Sequence, residues 1–171
     1  MEGPLTFAFL KDRYDRELAR KHELTSALTL PVGVLSGLGG IIAVMARTFS
    51  YDALPLNAAF LTFLTLDVCA FAACLVLLGL VYHRQEYTYL PLLNELELSM
   101  AEFDAYYYHE PRQAEEEFTA QIRRRIIESA DVNAQRNDEK SKFLYWARVL
   151  LFAVLVLTAL AGATFIADQV R

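Results

Sequence analysis

ALPLNAAFLTFLTLDVCAFAACLVLLGLVY, residues 53–82, decides how the chain is read: these thirty residues carry a single charged side chain, Asp67. A helix needs about 20 apolar residues to cross roughly 30 Å of hydrocarbon. Working outward, residues 24–46 are 23 positions without a charge, and residues 149–167 are 19 more between Arg148 and Asp168. Three such runs in 171 residues leave too little polar surface to cover them in water, so a soluble protein with a buried helical hairpin is the minor alternative. At 55% apolar and 22% charged, the composition argues against a disordered chain, a collagen or a disulfide scaffold. The charged segment from Lys11 to Glu23, ahead of the first run, argues against a secretory signal.

Orientation follows from the cations. Five precede the first run (Lys11, Arg13, Arg16, Arg20, Lys21), Arg47 alone follows it, and eight lie between the second and third. The positive-inside rule then places the N-terminus and the long middle segment in the cytoplasm. The expected fold is all-α, an integral membrane protein of the inner membrane. Its order is a juxtamembrane helix over 1–24, a first span over 25–46, an outer loop over 47–55 and a second span over 56–82. A cytoplasmic helical hairpin over 83–142 with its tip near 110–111, a third span over 143–168 and an outer tail over 169–171 complete it. The N-terminal helix is expected to run unbroken into the first span, with Pro31 about two turns inside.

The hairpin rests on two stripes. Tyr89, Leu93, Leu96, Met100, Phe103 and Tyr107 recur at spacings of 4, 3, 4, 3 and 4, which predicts one helix over 84–109. After Pro111, Phe118, Ile122, Ile126 and Ala130 recur every four residues, continuing through Asn133, Asn137 and Ser141 to Tyr145. The two arms would be about 39 and 46 Å long, continuous with spans two and three.

Asp67 is the sharpest single residue. It has 14 apolar-run residues before it and 15 after, so it falls near the bilayer midplane, where a carboxylate is costly and too short to reach water. Two readings stand: a pore-lining, proton-carrying or gating group, or a helix-gluing Asp bonded to Ser36, Thr62, Thr65 or a symmetry mate. In the first span Gly33, Ser36, Gly37 and Gly40 form small-xxx-small pairs that let helices approach closely, within one chain or between copies. Asn133 and Asn137 would fix register in a stalk seam, or meet solvent where the stripe leaves it. Arg123, Arg124 and Arg125 lie about 25 Å or more along the helix from the third span. They would pair with Glu115, Glu116, Glu117 or acids of the other arm, or receive an anionic ligand or partner. Tyr106, Tyr107, Tyr108 and His109 at the tip are candidates for stacking.

The chain carries a net charge of −5, all of it arising in residues 84–142, which have thirteen acids against eight bases, so nucleic acid is not an expected partner. Cys69 and Cys74 are five residues apart on one helix, where they cannot pair, and two thiols make no zinc site. Neither a cofactor motif nor an enzyme signature is present: there is no GxGxxG, Walker, HExxH or GxSxG sequence, and His22, His83 and His109 are far apart. Tyr51-Asp52 is only the first half of an intramembrane aspartyl protease signature. A non-catalytic protein is expected.

The layout of a charged helix such as Tyr14 to Glu23 feeding span one, a short outer turn near Asp52 to Pro55, span two and then extended cytoplasmic helices resembles the bacterial two-span effector families called SLATT. The resemblance covers roughly residues 10–110, and the third span departs from the pattern. It implies an oligomeric, pore-forming effector of antiphage defence, triggered on its cytoplasmic side by a sensor protein or nucleotide signal. Expected partners are thus the lipid bilayer, further copies of the chain and that trigger. The alternatives are a membrane anchor or scaffold recruiting a soluble partner, and a small transporter subunit.

Overall fold

The computed structural model describes residues 6–51, 56–83 and 86–170. Among these there is no strand, and the helices are α1 (Phe7–Ser26), α2 (Thr29–Thr48), α3 (Leu56–His83), α4 (Leu93–Tyr106) and α5 (Pro111–Gln169). The fold is all-helical. Three helical runs, Phe7–Thr48, Leu56–His83 and Pro111–Gln169, are long and apolar enough to cross a membrane. Within their most apolar stretches 33% or less is buried, so the outward faces are themselves apolar. The chain divides into two compact units: Met1–His22 with Gln85–Asp138, and Glu23–Arg84 with Glu139–Arg171.

The second unit is built from α2, α3 and the later part of α5. Its buried positions are Pro31, Leu35, Leu38, Ile42 and Met45 on α2, and Phe60, Asp67, Cys74, Leu78 and Val81 on α3. On α5 they are Lys140, Leu144, Ala147, Val154, Thr158, Ala161 and Asp168. Each set advances by threes, fours and sevens, a mean period of 3.5, which is the spacing that keeps a seam facing neighbours in a gently crossed bundle. Leu35, Leu38, Cys74, Leu78, Val81, Leu144, Ala147 and Val154 form one core, and Met45, Phe49, Phe60 and Ala161 another. The fully buried Ala147 lets α3 come close, and the Cys74 thiol donates to its carbonyl at 3.2 Å.

Two expectations are corrected in this unit. The first helix does not run unbroken into the apolar segment: a turn at Ala27–Leu28 separates α1 from α2, with the Leu28 amide donating to Thr25 O. Pro31, two turns into the 25–46 run, therefore stands in the first turn of α2, where its missing N–H costs no intrahelical bond. The four-residue stripe ending at Ser141 and Tyr145 also fails. The seam turns instead through Lys140 and Leu144, and Tyr145 is 61% exposed, because a spacing of four overshoots the 3.5 that burial follows.

The first unit packs Leu10 and Tyr14 of α1 against Ile126 and Ala130 of α5, with Leu18, Leu90, Ile122 and Ile127 around them. The single helix expected over 84–109 is not formed. Residues 86–92 form no regular secondary structure, Leu92 being extended, and α4 covers only Leu93–Tyr106. Pro91 is the physical reason: it cannot donate to a helix and it drives Leu90 out of the helical region. Tyr107 to Glu110 make the next turn, the Glu110 amide donating to Tyr107 O at 2.7 Å, and Pro111 opens α5 at the position proline favours. The Asp52 to Pro55 turn and Arg84 lie outside the described residues.

Candidate functional site

In the first unit the irregular strap 86–92 is held by polar side chains that are otherwise unexpected in a helix seam. Asn133 is wholly buried. Its Oδ1 accepts the Thr88 amide at 3.0 Å and its Nδ2 donates to Thr88 O at 2.9 Å. A primary amide carries one acceptor and a donor side by side, as a peptide does, so Asn133 pairs with the strap as a neighbouring β-strand would. One turn on, Asn137 is equally buried: Oδ1 accepts the Tyr87 hydroxyl at 2.7 Å, and Nδ2 donates to Glu17 O at 2.8 Å and Glu17 Oε2 at 3.0 Å. From α1 the Tyr14 hydroxyl accepts the Leu90 amide at 3.1 Å. Lys21 donates to the Tyr89 hydroxyl at 2.6 Å, with its ammonium 4.5 Å from the centre of the Tyr87 ring.

The electrostatics of this clamp favour neutral tyrosine. Burial, above all, pushes the Tyr87 phenol up to about 12, with Tyr89 and Glu17 adding to the shift and Arg20 opposing it. Glu17, only 7% exposed, lies 3.8 Å from Arg13 and 3.7 Å from Arg20, and Arg20 reaches Asp138 of α5 at 2.8 Å. On the outer side of α1, Arg16 bonds Asp12, which raises the guanidinium's already high value.

In the second unit Asp67 is wholly buried on α3. The Thr158 hydroxyl of α5 donates to its Oδ2 at 2.7 Å, and its Oδ1 has no hydrogen-bond partner among the described residues. Within the chain, Thr158 takes the place expected for Ser36 or Thr62: Ser36 donates to Val32 O and Thr62 to Ala58 O, each within its own helix. At one end of the unit the Asp168 carboxylate accepts both the Ser50 amide at 3.1 Å and the Ser50 hydroxyl at 2.5 Å, tying the end of α5 to the end of α2. Phe49 stacks on Phe60 beside it, ring centres 3.9 Å apart.

The small residues of α2 divide sharply. A methyl group added at Gly33, Gly37 or Gly40 would meet nothing, while at Gly39 it would come within 3.3 Å of the Phe71 ring. Gly33, Ser36, Gly37 and Gly40 thus lie on an exposed face, and Gly39 alone of these packs inside the unit. Arg123 shares a shallow hollow with Glu115 and Glu116, and Arg124 and Arg125 are exposed. Among the described residues no cluster of three metal-ligating side chains occurs.

Sequence reasoning singles out Asp67, Asn133 and Asn137 but not their partners. Thr158 carries a usable signal: it is the midpoint of the 149–167 run, level with an acid at the midpoint of its neighbour. Tyr14 and Glu17 share the buried face of α1 with Leu10 at spacings of 4 and 3. Thr88 carries no such signal, since it pairs through its backbone. No protein-family model, curated protein or solved structure matches the chain.

Proposed function

We propose that the chain is a homo-oligomeric, multi-pass inner-membrane protein with its N-terminus and first unit in the cytoplasm, acting as a channel-like, membrane-permeabilising effector. The observation that carries this reading is Asp67: a carboxylate with no exposure, halfway along an apolar helix, with one oxygen held by Thr158 and the other free. Such a group is expensive in lipid and is kept where it serves a path for ions or protons. Support for the bilayer placement comes from exposed aromatic residues at the ends of the apolar runs, Tyr51 at one end and Tyr82, Tyr145 and Trp146 at the other, as in interfacial belts. Support for self-association comes from the open Gly33/Ser36/Gly37/Gly40 face. The layout resemblance to SLATT effectors adds antiphage defence as the setting and a cytoplasmic signal as the trigger. In this mechanism a change in the first unit rotates α3 or α5 so that the free oxygen of Asp67 faces a hydrated path.

The Thr158 bond also favours a second reading, a membrane anchor in which Asp67 only joins two helices. Membrane-potential dye in bacteria expressing the chain separates the two. Wild type should depolarise cells, Asp67→Leu should not, and Asp67→Asn should be impaired. Wild-type expression without depolarisation would leave the anchor; depolarisation unchanged in both variants would remove Asp67 from the path.

A further inference from the structure

We propose that α4 and its flanks, residues 86–110, are a docking surface for a cationic protein partner whose arginines or lysines surround an apolar patch. The helix buries none of its residues. Leu93 is 81% exposed, Leu98 65% and Tyr106 81%, with Leu92 and Tyr108 also open. Leu93, Leu98 and Tyr106 are open apolar side chains on one 14-residue helix, and apolar surface rimmed by polar residues marks an interaction site.

Charge identifies the occupant. From Glu86 to Glu110 there are six acids and no lysine or arginine. Glu95, Leu98, Glu102 and Tyr106 follow one another at spacings of 3, 4 and 4, so carboxylates and apolar groups share one side of the helix. Two hollows carry the same chemistry: one of about 390 Å³ lined by Glu102, Phe103, Tyr106 and Tyr107, and one of about 320 Å³ lined by Tyr106, Tyr107, His109, Glu110 and Gln113. An aromatic face beside a carboxylate is what a guanidinium or ammonium group seeks, through cation–π contact and a charged hydrogen bond together.

The other occupants are disfavoured by the same charge. An anionic lipid surface and nucleic acid are both repelled by six acids. The same face of a second copy is disfavoured as well, because it would set six acids against six. The docking inference does not depend on the channel reading and holds equally if the apolar helices only anchor the chain.

The test uses the full chain in phosphatidylcholine nanodiscs and a fluorescently labelled synthetic helical peptide with leucines on one face and arginines around them. Anisotropy should show saturable binding, weaker at high salt and absent on empty nanodiscs. Binding should fall by about tenfold or more both in E95Q/E97Q/E102Q/D104N and in L93S/L98S. Because every substituted residue lies on the exposed side of α4, away from the half-buried face that carries Phe103 against Phe118, both variants should keep the wild-type helical circular dichroism. Binding that survives both variants, or equal binding of a peptide with glutamates in place of the arginines, would overturn the proposal. So would conversion of an oligomer to monomers by L93S/L98S, which would assign the surface to a second copy.

Discussion

Asn133 shows how a buried polar residue is stabilised by matching a peptide group. Both hydrogen-bonding atoms of Thr88's backbone are satisfied by one side chain, so Asn133→Ala removes two part-buried hydrogen bonds, at about 0.5–1.5 kcal/mol for each. The strap should open. Chymotrypsin, which cuts after tyrosines such as Tyr87 and Tyr89, should cleave the Asn133→Ala variant there about tenfold faster or more, with Asn133→Gln unable to restore the wild-type rate. Tyr87 adds a pH dependence whose sign is fixed by its raised value. Below the ordinary tyrosine value of 10.0 the phenol is neutral folded or unfolded, and its contribution is complete. Between 10.0 and about 12 only the unfolded chain loses the proton, so stability falls as pH rises through that window. Thermal melts followed by circular dichroism should show that loss in wild type and a smaller one in Tyr87→Phe, which is also less stable at neutral pH because Asn137 Oδ1 loses its donor.

At the scale of elements, periodicity carries most of the fold and proline the rest. The three apolar runs are legible because an uncharged stretch of lipid length is rare in a soluble chain of this size, and helices occupy all three. A single helix through 84–109 fails because Tyr89 and Leu93 fit its stripe while Pro91 between them forbids it. Tyr89 is 57% exposed and Leu93 81%. Asn133 and Asn137 are legible as exceptions on an apolar stripe, but what they hold is not, since a segment without regular structure has no period to betray it. The seam of α5 supplies a quantitative check on the observed register. Leu144 is buried in the core with Leu78 and Ala147, so Leu144→Ala should cost about 2 kcal/mol or more by cavity formation. Tyr145→Ala, one residue away and outward, should change the thermal midpoint in mild detergent far less. Equal effects would restore the four-residue stripe.

For the molecule as a whole, the two glycine environments of α2 separate folding from assembly. Gly39 faces Phe71 inside the second unit, and a Cβ there already comes within 3.3 Å of the ring, so a branched side chain must displace it. Overpacking of that kind costs about 1–3 kcal/mol, and Gly39→Leu should lower the thermal midpoint of the chain whatever its oligomeric state. Gly37 faces open space, so Gly37→Leu leaves the protomer's own packing untouched. If copies associate through this face, the added isobutyl group holds the helices apart where close backbone approach is needed, and affinity drops although the fold is intact. Light scattering on detergent-solubilised protein should therefore find wild type oligomeric, Gly37→Leu shifted to protomers with an unchanged melt, and Gly39→Leu less stable at any mass. An oligomer that tolerates Leu at both Gly33 and Gly37 must be built on another face, and the α2 surface would then belong to lipid.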